Sequence, residues 1–213
     1  MVIQRYGSYF TKISVGDQVI GVNSPSKEST FKQSKFGAQI ALQSLNHPDF
    51  DGLESLEGNK NNTCYSIKGP GEYEINEIFV NGFVARTKYD GVDEQINTVY
   101  SILMDGINIV YLGPLENAEV DEKTAEDLYM ADIIFIPIGG DNVMTADDAF
   151  KFVKKFSPKI VIPIGYDEKK NKSDLETFVS HFGEKMSTED KLTIKKKDME
   201  TESMDVVVLT EVK

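Results

Sequence analysis

The chain has 213 residues, 40% of them hydrophobic and 27% charged, which suits one domain with a substantial core. Its formal net charge of −12 argues against nucleic acid and anionic membrane surfaces as partners, because both are gripped through Lys and Arg. One cysteine, Cys64, cannot close an intrachain disulfide, and neither an apolar leader nor a run near the ~20 residues of a membrane span is present, so a cytoplasmic protein is expected. Asn61-Asn62-Thr63 and Asn171-Lys172-Ser173 match the glycosylation sequon and are read as chance in that compartment.

The first half reads as strands. Tyr9 to Val15 alternates, Gly16-Asp17 signals a turn, and Gln18 to Val22 continues as a second run. Asn23 to Gln33 is a polar loop, Ala38 to Leu42 is a short apolar strand, and Leu53 to Asn62 is polar and irregular. Cys64 to Lys68, Glu72 to Ile75 and Glu77 to Ala85 are further strands, with Gly69-Pro70-Gly71 as a tight turn. Asn81-Gly82 fits either a hairpin turn or a bulge in one longer strand. Asn97 to Met104, Asp105-Gly106 and Ile107 to Leu112 form the clearest hairpin, since Asp-Gly supplies the positive φ angles of a type I′ turn.

The second half alternates helix and strand. Asp121 to Met130 is a predicted helix with acids in its first turn, where they suit the macrodipole. Ile133 to Pro137 is a continuous apolar strand of the type buried on both faces, and Ile160 to Ile164 is another. Between them, Thr145 to Asp148 resembles a capping box opening a helix to Phe156, which Ser157-Pro158 ends. Ser173 to Glu176 is a second capping box, opening a helix to Phe182. Leu192 to Lys195 and Val206 to Thr210 close the chain as strands. Strands followed by alternating helices and strands point to packed sheets with helices outside, in one domain spanning 1–213.

Several motifs then occur in order. Ala38 to Gly52 runs from an apolar strand into a polar loop carrying His47 and Asp49. Gly69-Pro-Gly-Glu-Tyr-Glu74 is followed by Ile78 to Gly82, then by Gln95 to Tyr100 and Gly106 to Gly113. Ala131 to Gly140 and Pro158 to Tyr166 complete the set. Together these resemble the metallo-β-lactamase superfamily, in the branch called Zn-dependent hydrolases of the β-lactamase fold. The resemblance implies an α+β fold, an αββα four-layer sandwich, and a dinuclear site whose first ligands come from a His-x-His-x-Asp-His loop.

Laid on that loop, His47 and Asp49 match, but Leu45 and Phe50 stand where histidines should be. The bridging Asp of the Leu-Gly-Asp hairpin end is replaced by Pro114, and the late-strand His by Gly165. A further family His would fall at Thr87 or Lys88. The chain holds only one other histidine, His181. Activating water on a metal requires a bound cation with an open position, and a catalytic zinc usually has three protein ligands. Two ligands, His47 and Asp49, should hold metal weakly at best. Leu45 and Phe50 projecting into the old cavity would each gain about 1.5–3 kcal/mol from burial.

Blander roles stand beside these. His47 reads as a loop-stabilising histidine or a vestigial ligand, and Asp49 as an acceptor of backbone N–H groups in its loop. His181 complements a helix C-terminus, and Cys64 is an inert core residue rather than a nucleophile paired with His47. Gly139-Gly140 is a tight turn rather than an anion cradle, with Asp141 close by, and Lys195 to Lys197 is a short basic patch.

The expected function is a catalytically inactive member with no cofactor, retaining a binding or assembly role as a homo-oligomer or beside a protein partner. The alternatives are a metal-dependent hydrolase using zinc, with His47, Asp49 and Asp90 or Asp93 as unusual ligands, and a small-ligand binding protein using the vestigial cleft.

Overall fold

A computed structural model describes residues 1–57, 63–139, 142–166, 172–200 and 203–212. Strand β1 (Val2–Arg5) precedes β2 (Thr11–Val15), β3 (Gln18–Val22), β4 (Ile40–Leu42) and β5 (Tyr65–Ile67). Next come β6 (Gly71–Ile75), β7 (Ile78–Thr87), β8 (Gln95–Met104) and β9 (Ile107–Tyr111). Helices then alternate with strands: α1 (Glu122–Tyr129), β10 (Ile133–Pro137), α2 (Ala146–Phe156), β11 (Ile160–Ile164) and α3 (Lys172–Ser180). Strands β12 (Met186–Glu189), β13 (Leu192–Thr193) and β14 (Asp205–Leu209) finish the chain.

The strands form two sheets, ordered β13-β1-β2-β3-β4-β5 and β12-β14-β11-β10-β9-β8-β7-β6. Strands β9, β10, β11, β14 and β12 run parallel, and β6 to β9 form an antiparallel meander. Every residue of β10 and β11 is buried, as expected for strands covered on both faces. The inter-sheet core includes Ile3, Ile13, Ile20, Leu42, Tyr100, Ile109, Phe135 and Ile162. A second core joins the outer face of the larger sheet to the three helices, through Val110, Ile134, Leu128, Phe152 and Phe178.

The α+β sandwich stands as the sequence implies, with one difference in its layers. Among the described residues, the outer face of the six-stranded sheet carries no α-helix. Phe10, Ala41, Leu53 and Leu56 make a small core there, under loops and a 3₁₀ turn at Leu53–Ser55. No described helix is long and apolar enough to cross a membrane.

Helix starts follow their caps. The Asp121 carboxylate accepts the Thr124 backbone N–H at 2.7 Å, and the Thr145 hydroxyl accepts that of Asp148 at 3.2 Å. Helix α3 begins at Lys172, so Ser173 lies within its first turn instead of capping it, and the helix stops at Ser180, before Phe182. Asp105 and Gly106 have φ of 54° and 70°, as the type I′ hairpin requires. Asn81-Gly82 is neither hairpin nor bulge: β7 runs through it, with unbroken pairing to β8 from Phe79↔Leu103 to Thr87↔Gln95. A side chain at residue 82 would meet the Gly69 carbonyl oxygen and Pro70 Cα at 3.0 Å, so glycine there serves close backbone approach. Strands β1 and β12 lack a sequence signal strong enough to announce them; each is held by a neighbour, β2 and β14 respectively. Asn61, Asn62, Gly140, Asp141 and Asn171, named in the two sequons and the glycine turn, lie outside the described residues.

Candidate functional site

The loop after β4 brings Leu45, His47, Asp49 and Phe50 to one edge of the sandwich. Its start is fixed from below: Asn23 Oδ1 accepts the Ser44 N–H at 2.8 Å, and Asn23 Nδ2 donates to Ser44 Oγ at 3.2 Å. Tight turns follow, with the His47 N–H donating to Leu45 O at 3.0 Å and the Phe50 N–H to His47 O at 2.9 Å. These turns send Leu45 and Phe50 inward, where they are 2% and 0% exposed. Both belong to the inter-sheet core.

Gly165 and Pro114 follow the carboxyl ends of β11 and β9, where ligands bind in open α/β sheets. The space between Phe50 and Gly165 is taken by Tyr9. The two aromatic ring centroids, of Tyr9 and Phe50, are 5.1 Å apart. A Cβ at residue 165 would stand 2.6 Å from Tyr9 Cζ, and Gly165 has φ +73°. Only glycine lets the backbone pass under that ring in that conformation. Tyr9 is anchored in turn, since the Tyr111 hydroxyl donates to its carbonyl and the Gly165 N–H donates to Ser8 O at 2.9 Å.

Tyr89, just beyond β7, completes an aromatic cluster. Its ring lies edge-on to Phe50 at 5.1 Å, His47 at 5.2 Å and Tyr9 at 5.9 Å. Thr87 is fully buried, and its hydroxyl donates to Pro114 O at 2.5 Å while accepting the Tyr89 N–H at 3.1 Å. Thr87 therefore faces Pro114, as a shared site would place them, whereas Lys88 turns away to Glu116 at 3.2 Å.

Among the described residues, Asp49 accepts no backbone N–H, contrary to the sequence expectation. Oδ1 accepts from the Ser29 hydroxyl at 2.5 Å and Oδ2 from the Tyr89 hydroxyl at 2.8 Å. The backbone N–H of Asp49 donates to His47 Nδ1 at 3.2 Å, which leaves Nε2 to carry the proton of a neutral ring. His47 Nε2 lies 3.5 Å from Asp90 Oδ2, while Asp93 is solvent-exposed. Burial, then the charges nearby, push the phenols of Tyr9 and Tyr89 well above their ordinary range. Both stay protonated, and Tyr89 remains a donor to Asp49.

The remaining candidates have other partners. His181 Nε2 meets Asp147 Oδ1 at 2.8 Å and its ring stacks on Phe150 at 4.3 Å, so it ties α3 to α2. Cys64 precedes β5 and is half-buried, a correction to its reading as a core strand residue. Burial and the nearby Glu57 raise its thiol pKa, the reverse of what an activated nucleophile needs.

A profile of the beta-lactamase superfamily domain matches residues 3–165, and the chain belongs to that family. No curated protein sequence matches it. Among solved structures, a candidate Zn-dependent hydrolase of the metallo-beta-lactamase superfamily from Thermotoga maritima is 20% identical, with a TM-score of 0.78 over 98% of this chain and 97% of that one. A candidate metal-dependent hydrolase from Parabacteroides distasonis is 18% identical (TM-score 0.64, covering 99% and 93%). Igni18, a metallo hydrolase from Ignicoccus hospitalis, is 14% identical (TM-score 0.62, covering 99% and 94%). At these identities the likeness is one of fold.

The family implies a metal centre, and the residues in this cleft do not fit one. Leu45, Phe50, Pro114 and Gly165 offer no side-chain donor, which leaves only His47 and Asp49 from the ligand positions the family implies. Among the described residues, no group of three or more His, Cys, Asp or Glu could hold a metal ion.

Proposed function

We propose that this protein is a catalytically inactive metallo-β-lactamase-fold member that has lost its dinuclear metal site and keeps a binding or assembly role. The observation that carries this reading is the Tyr9 ring wedged between Phe50 and Gly165. A histidine at residue 165 and Tyr9 in this position exclude one another, so the cleft is rebuilt around an aromatic filling. Net charge −12 and a lone cysteine support a cytoplasmic setting without nucleic-acid or membrane partners.

The metal-dependent hydrolase alternative draws on His47, whose ring nitrogens lie 3.5 Å from both Asp49 and Asp90 carboxylate oxygens, and on the names of its structural neighbours. There His47, Asp49 and Asp90 would have to supply all three protein ligands that a catalytic zinc usually takes. The small-ligand alternative draws on an open pocket of about 430 Å³ beside His47, lined also by Lys27, Asn46 and Glu54.

Metal analysis after loading the purified chain with zinc, manganese or iron and dialysing it separates these readings. The expected result is substoichiometric metal and unchanged thermal unfolding in chelator. Stoichiometric, chelator-sensitive zinc overturns the proposal.

A further inference from the structure

We draw no further inference here: the strongest candidate, the exposed apolar surface patch of Val84, Val92 and Ile96 where β7 turns into β8, is an unpartnered face, and nothing in the structure shows what covers it.

Discussion

The candidate site has two halves that are held together by different means. On one side Leu45, Phe50, Tyr9 and Gly165 interlock by shape, and on the other His47, Asp49, Ser29 and Tyr89 interlock by hydrogen bonds. In the first half Leu45, Phe50 and Gly165 present no polar side-chain atom, and burial of apolar surface supplies the cohesion. In the second half a carboxylate and an imidazole are satisfied by hydroxyl and backbone donors.

The largest break in this comparison should come from Phe50→Ala, which empties a fully buried ring site and should cost about 3–5 kcal/mol in urea unfolding. A shift near zero would mean that the packed half contributes nothing. Asp49→Ala leaves two hydroxyls in a partly buried setting without their acceptor and should cost about 2 kcal/mol. If the loss is below that of an exposed surface aspartate, the polar half is ornamental.

Alkaline pH probes both halves together. Burial raises the phenol pKa of Tyr9, Tyr89, Tyr100 and Tyr111 above the ordinary value of 10.0. Above that value the unfolded chain releases protons that the folded chain keeps, so this stabilisation is complete below about pH 10 and is lost as pH rises. Each such tyrosine adds a slope of about 1.4 kcal/mol per pH unit. Tyr9→Phe should remove one share of that slope in denaturation midpoints taken between pH 10 and 11, and an unchanged slope would place Tyr9 in free exchange with solvent. The smallest effect is expected from Tyr89→Phe, which keeps the ring and deletes only the bond to Asp49: about 1 kcal/mol, with faster amide exchange at the Tyr89 turn. Slower or equal exchange would contradict the bracing of that turn by Asp49.

Much of the fold was legible along the chain. The apolar runs of β10 and β11, the Asp105-Gly106 hairpin and the caps at Asp121 and Thr145 each act within a few residues. Strand β12, reading Met-Ser-Thr-Glu, has no such pattern, and only its parallel pairing with β14 makes it a strand. In the cleft, the missing donors at Leu45, Phe50, Pro114 and Gly165 were readable, whereas nothing in the sequence singled out Tyr89. Nothing near Tyr9 announced its part, because its partners Gly165 and Tyr111 come from distant strands.

The amino-acid order alone settled what the cleft lacks, since a side chain without N, O or S donors cannot bind a cation in any fold. Which residue packs between Phe50 and Gly165 and which hydroxyls reach Asp49 were decided by tertiary structure. Those outcomes depend on contacts between strands far apart in the chain, and the local alternation that sets each strand is blind to what packs across from it.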